Sequence, residues 1–132
     1  MRSYTKEIEM NQFNELADRY IAIWNEADDA QRRTLVEQTY TESATYIDPM
    51  MSGTGVEGIT SMVKAAREQF PGHQFRRSSE VESHNGHVRF SWELSAKDSL
   101  PIARGTDIGV LDGNRFQQII GFLDTTSNPQ QA

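Results

Sequence analysis

At 132 residues the chain has the length of one domain able to bury a core of its own. Its formal net charge of −6, with Arg32-Arg33 and Arg76-Arg77 as its basic pairs, speaks against a phosphate-tracking surface and so against a nucleic-acid partner. The absence of cysteine excludes disulfides, thiolate catalysis and cysteine metal sites, and no apolar run approaches the roughly 20 residues that span a bilayer. The first seven residues carry no apolar segment of signal-peptide type, so a cytoplasmic protein without a membrane partner is expected.

In chain order, the first element is a helix from Asn11 to Ala27. Phe13, Leu16, Ala17, Tyr20, Ile23, Trp24 and Ala27 recur there every three or four residues and make a wide apolar face. Asp28-Asp29 can cap a second helix, Ala30 to Tyr40, which presents Leu35, Val36 and Tyr40. A first strand, Ala44 to Asp48, ends at Pro49, and Met50 to Val56 reads as a loop with two glycines. A third helix runs from about Glu57 to Phe70 and stops at Pro71-Gly72.

Strands follow. Gln74 to Ser83 reads as one long, polar, partly exposed strand. Asn85-Gly86 is a hairpin turn, since both residues tolerate positive φ. Val88, Phe90, Trp92 and Leu94 alternate with polar residues on the next strand. Lys97 to Pro101 reads as a loop, Ile102 to Leu111 as a strand, and Arg115 to Asp124 as the last strand, after a turn at Asp112-Gly113-Asn114. The tail 125–132 reads as disordered. The expected fold is a single α+β domain: three helices packed on one face of a curved, mostly antiparallel sheet.

Two acids stand out. Strand alternation groups Asp48 with Ala44 and Tyr46, and Asp107 with Ala103, Gly105, Gly109 and Leu111. A carboxylate on an inward face of small and apolar residues is costly unless partnered, protonated or used, and small neighbours leave room for a ligand. A structural role is the alternative for each candidate. Tyr20 suits a packed core with its hydroxyl bonded. Asp48 suits a loop cap. Asp107 could pair with Arg76, Arg89 or Arg104, which would depress its pKa. His84 and His87 flank the hairpin tip and His73 sits in a loop, so no metal site is expected. Gly53-Thr54-Gly55 lacks the lysine of a phosphate loop, and no cofactor is expected.

The succession helix, helix, short strand ending in Asp-Pro, helix and antiparallel strands resembles the nuclear transport factor 2-like superfamily, from about Phe13 to Asp124. The local echoes are with ketosteroid isomerase and the SnoaL-like polyketide cyclases. Arg19 to Asn25 resembles the isomerase helix that carries a catalytic tyrosine, Tyr46-Ile47-Asp48-Pro49 the segment of its general base, and Thr106-Asp107 the place of its protonated aspartic acid. The resemblance implies a cone-shaped, cystatin-like roll, usually a homodimer, with a pocket between sheet and helices. It implies Asp48 as base and Tyr20 and Asp107 as hydrogen-bond donors to an enolate, a division of labour for which ketosteroid isomerase is the standard example. Trp24, Tyr46, Trp92, Ile119 and Leu123 are the expected ligand contacts. A two-residue turn before the last strand would instead bring Phe116, Gln118, Ile120 and Phe122 to the Asp107 face.

The expected activity is that of an isomerase or cyclase acting on a small to mid-sized apolar carbonyl compound by proton abstraction. The alternative is a non-catalytic ligand-binding or dimerising module. Epoxide hydrolysis, known in the same superfamily, expects an arginine where this chain has Gly105, and Arg104 points to the opposite face.

Overall fold

The structure is a computed structural model that describes residues 2–124, with side chains from Met10 onward; the tail segment 125–132 lies outside the described residues. Three helices, α1 (Arg2–Asn25), α2 (Asp29–Thr39) and α3 (Gly55–Gln69), pack on one face of a seven-stranded sheet. The strands are β1 (Tyr40–Ile47), β2 (Ser52–Thr54), β3 (His73–Arg77), β4 (Glu82–His84), β5 (His87–Ala96), β6 (Ala103–Asp112) and β7 (Arg115–Leu123). The sheet order is β2-β1-β7-β6-β5-β3, with β4 also on β5. Every pairing is antiparallel except that of β1 with β7. No helix among the described residues is long and apolar enough to cross a membrane.

The helical half follows the apolar periodicity. Leu16, Ala17, Tyr20, Ile23 and Trp24 of α1 are buried, as are Ile59, Met62, Val63 and Ala66 of α3. Asp28 caps α2 by accepting from the Gln31 N–H at 2.9 Å. Tyr40, expected to close α2, instead opens β1: its backbone is extended, and its N–H still bonds the Val36 carbonyl. Arg32 is buried because its guanidinium donates to the Glu26 and Ala27 carbonyls at the end of α1 and to Asp29. That satisfies acceptors a helix end leaves open, and it removes this residue from any basic surface.

Three features of the sheet differ from the expectation. The loop after Asp48 contains the short strand β2, which pairs back on β1. The segment Gln74 to Ser83 is not one strand. It divides into β3 and β4, because Arg77 faces Trp92 while Glu82 faces Arg89, leaving two residues more on that side than β5 can pair. Val81 turns into the core at the break, and the Ser79 hydroxyl accepts the Ser91 N–H at 2.8 Å. Finally, β6 turns into β7 over two residues, with Asp112 facing Arg115, but a bulge then shifts the register so that Val110 faces Gln118. The tight turn brings Phe116 inward, and the bulge returns Ile119 and Gly121 to the face of Asp107.

Candidate active site

Asp107 sits mid-strand on the inner face of β6, opposite Phe90 of β5 and Gly121 of β7. It is 2% exposed. The Tyr20 hydroxyl donates to its Oδ2 at 2.6 Å and the Trp92 Nε1–H to its Oδ1 at 3.1 Å. Both donors are neutral, and among the described residues no Arg, Lys or His pairs with it. Arg76 and Arg104 bind Glu93, and Arg89 binds Glu82, all on the other face of the sheet. Burial therefore decides the balance. It pushes the Asp107 pKa up to about 6, against the two hydrogen bonds and with a smaller push from the charge of Asp48.

Tyr20 is packed in the core and also faces the cavity. Its ring lies edge-on to Phe90 and Phe116, at 5.4 and 5.9 Å, deep in the core. Its hydroxyl reaches the carboxylate, and burial followed by the charge of Asp107 holds its pKa far above the ordinary tyrosine value. Its hydroxyl therefore keeps its proton and serves as a hydrogen-bond donor.

The glycines that flank Asp107 have a different use from the one their size suggests. A Cβ on Gly105 would lie 2.2 Å from the Trp92 ring and 2.7 Å from the Phe122 carbonyl oxygen. A Cβ on Gly109 would lie 2.4 Å from the Phe116 ring. The space beside Asp107 is thus filled by two rings, one of which carries the Nε1–H bonded to the acid. Gly105→Ala is expected to destabilise the fold by about 1–3 kcal/mol through overpacking and to break the Trp92–Asp107 bond. A urea unfolding midpoint read together with the Trp92 indole N–H resonance checks this. An unchanged midpoint and resonance would mean that Trp92 does not need that space.

Gly121 is the glycine over which the two acids meet. A Cβ there would meet Asp107 Oδ1 at 2.9 Å, Asp48 Cβ at 3.1 Å and the Tyr46 hydroxyl at 3.4 Å, so the two acids approach each other across a bare backbone. Asp48 follows the end of β1 and is half-buried. Its Oδ2 accepts from Tyr46 at 2.5 Å, and its Oδ1 accepts the N–H groups of Met50 and Met51 at 2.8 and 2.9 Å. The loop-cap reading therefore holds for Asp48. Three of the roughly four acceptor positions of a carboxylate are occupied.

Tyr20, Trp24, Tyr46, Asp48, Trp92, Asp107 and Leu123 line one cavity of about 100 Å³ between sheet and helices. Ile119, expected as a ligand contact, does not line it. It is fully buried, packed beside Gly109 and paired with Tyr46. Phe75, Phe70, Met50 and Met51, not singled out as ligand contacts from the sequence, also line the cavity. Phe75 had a signal: it is the one apolar side chain in the polar run from Gln74 to Glu80. Its place is fixed by Asn25, whose side-chain amide both donates to the Phe75 carbonyl and accepts its N–H, at 2.9 and 2.8 Å. Asp107 lies at the closed end, whereas Met50 and Leu123, 65% and 42% exposed, lie at the mouth. A cavity of about 150 Å³ is known to take a benzene, so this one encloses part of a mid-sized compound at most.

Solved structures share this architecture. A candidate isomerase of the SnoaL-like family from Agrobacterium tumefaciens is 41% identical over 88% of this chain and 100% of its own, with a TM-score of 0.84. A candidate SnoaL-like polyketide cyclase from Jannaschia is 16% identical, covers 87% of each chain and has a TM-score of 0.69. A candidate ketosteroid isomerase from Kribbella flavida is 15% identical over 92% of this chain and 84% of its own, with a TM-score of 0.63. The last two are alike in fold alone. No family model and no curated protein matches the sequence.

Proposed function

Because the chain belongs to the SnoaL-like family, within the nuclear transport factor 2-like superfamily, we propose that its cavity is the active site of an isomerase or cyclase that moves a proton next to the carbonyl of a small apolar compound. The observation that carries this reading is Asp107: a carboxylate at the closed end of an apolar cavity, held by two neutral donors, with its pKa pushed up to about 6. A proton-transfer group works best when its pKa lies near the working pH.

In this reading the base is Asp107 rather than Asp48, and the hydrogen bonds of the two acids support that choice. Asp48 has one acceptor position left and anchors the Met50-Met51 loop. Asp107 has two positions free of its hydrogen bonds and faces the cavity. In the proposed step a substrate C–H bond breaks, its proton passes to Asp107, and the electron pair moves into the carbonyl to give an enolate. Neutralising Asp107 weakens its hold on the Tyr20 hydroxyl. Tyr20 is then free to turn its hydrogen to the new oxyanion. Return of the proton at another carbon completes an isomerisation and restores the carboxylate.

The test is the conversion of pent-4-en-2-one to its conjugated isomer, followed by ultraviolet absorbance. The wild type should accelerate it above buffer and Asp107→Asn far less. No acceleration by the wild type, of this reaction or of deuterium exchange next to the carbonyl, would leave the binding module as the better reading.

We propose further that a second copy covers the outer face of the sheet. Arg89, Ser91 and Glu93 lie on that face, and their partners across the sheet lead to an apolar band formed by Ile47, Ile108, Ile120 and Phe122. Ile47 and Phe122 are 51% and 54% exposed. Exposed apolar side chains grouped on one face suit an interface better than solvent. Light scattering at micromolar concentration should report a dimer, and Phe122→Glu a monomer. A monomeric wild type would overturn this.

A further inference from the structure

The cavity combines two features that together suit a cation better than a wholly apolar compound. Its charged lining groups are both acids, Asp48 and Asp107, and among the described residues none of its lining side chains is basic. Its walls are aromatic and steeply inclined to one another. Trp24 lies 5.5 Å from Tyr46 and 5.4 Å from Phe75 between ring centroids, at 55° and 56°, and Phe75 lies 5.2 Å from Trp92 at 70°. Neighbouring rings inclined in this way are not stacked, and all four line the cavity. The negative faces of aromatic rings attract a cation, and quaternary ammonium groups are recognised in aromatic cages. A carboxylate buried without a cationic partner also lacks the counter-charge that would compensate its desolvation.

We propose that the ligand of this cavity carries a small organic cation, a methylated or protonated ammonium group, held by the rings of Trp24, Tyr46, Phe75 and Trp92 and facing Asp107 and Asp48. The inference rests on the reading of this cavity as the reaction site and narrows its substrate to a carbonyl compound bearing such a group. Size agrees: a trimethylammonium head is smaller than a benzene ring and suits about 100 Å³. The rest of the molecule would extend past Met50 and Leu123 toward solvent. The chemistry agrees as well, because a positive charge close to the reacting carbon stabilises the enolate formed there.

The test compares choline with 3,3-dimethylbutan-1-ol, which has the same shape with carbon in place of the charged nitrogen, by calorimetric titration of the intact protein near pH 7.5. Choline should bind at least tenfold more tightly. Trp24→Leu and Asp107→Asn should each reduce that preference severalfold. Equal or tighter binding of the alcohol to the wild type, or binding of neither up to millimolar concentration, would overturn the proposal without the use of any variant. The outcome is separate from that of the isomerisation assay. Turnover of the neutral ketone with no preference for choline removes the cation and keeps the enzyme. A preference for choline with no turnover of the neutral ketone keeps the cation, and deuterium exchange next to the carbonyl of a ketone bearing a trimethylammonium group then decides the enzyme.

Discussion

Asp107→Asn should lower the rate of pent-4-en-2-one isomerisation by on the order of 10²–10⁴, the usual contribution of a positioned acid or base. The substitution keeps the shape of the site. The amide oxygen can still accept from Trp92 Nε1, and the amide N–H can donate to the Tyr20 oxygen, whose hydrogen is free to rotate. What is lost is the capacity to take up a proton, so the loss should appear in kcat with KM nearly unchanged. Asp48→Asn provides the contrast. Its oxygens hold Tyr46 and the Met50-Met51 loop, so its effect should fall mainly on KM and stay within about tenfold in kcat. The reverse outcome, a collapse of kcat in Asp48→Asn with Asp107→Asn nearly as active as the wild type, would return the role of base to Asp48, as the likeness to ketosteroid isomerase implies.

The helices and the main strands were legible because each has a period that only one element satisfies. The 3.6-residue spacing from Phe13 to Trp24 and the alternation from Val88 to Leu94 each place a complete apolar set on one face. The hairpin at Asn85-Gly86 was legible from turn chemistry alone, and both residues do adopt positive φ, 49° and 74°. Pairing that side chains do not announce was hidden. β2 is Ser-Gly-Thr, a strand only because β1 lies beside it. The bulge after the Gly113-Asn114 turn is set by both strands together, so a choice between two turn lengths could not reveal that a short turn and the longer register coexist.

The site divides in the same way. Two acids on apolar faces mark a cavity because few structural causes place them there, and both line it. The bonds of each acid were not legible. Asp48 is held by backbone N–H groups of its own loop, and Asp107 by side chains from α1 and β5, so the basicity of Asp107 depends on contacts between distant parts of the chain. The glycines beside Asp107 misled for a related reason. An absent side chain leaves space in one strand, but what enters it is decided by the neighbour, and here Trp92 and Phe116 enter from β5 and β7.

The burial of Asp107 should also be measurable as lost stability at neutral pH. Its pKa is raised from 3.8 to about 6 in the fold, so between those values the native protein binds more protons than the unfolded chain. Stability then falls as pH rises through this window, and the contribution present below pH 3.8 is gone above pH 6. The shift corresponds to about 3 kcal/mol at 1.36 kcal/mol per pKa unit. Asp107→Asn cannot ionise and escapes this loss. Urea unfolding at several values between pH 3.5 and pH 8 should show the variant gaining on the wild type through pH 4–6, to a plateau about 3 kcal/mol higher. Taking the difference between the two proteins cancels the surface carboxylates, such as Glu93, that titrate in the opposite sense because arginines hold their pKa low. A gap that does not change with pH would mean that Asp107 is not strained by burial. A gap that closes as pH rises would mean that it is ion-paired, which would remove the basis for both proton transfer and cation binding. A buried acid that lowers stability at neutral pH while a neutral isostere fits its hydrogen bonds is difficult to attribute to packing, and this makes the stability measurement a test of function that needs no substrate.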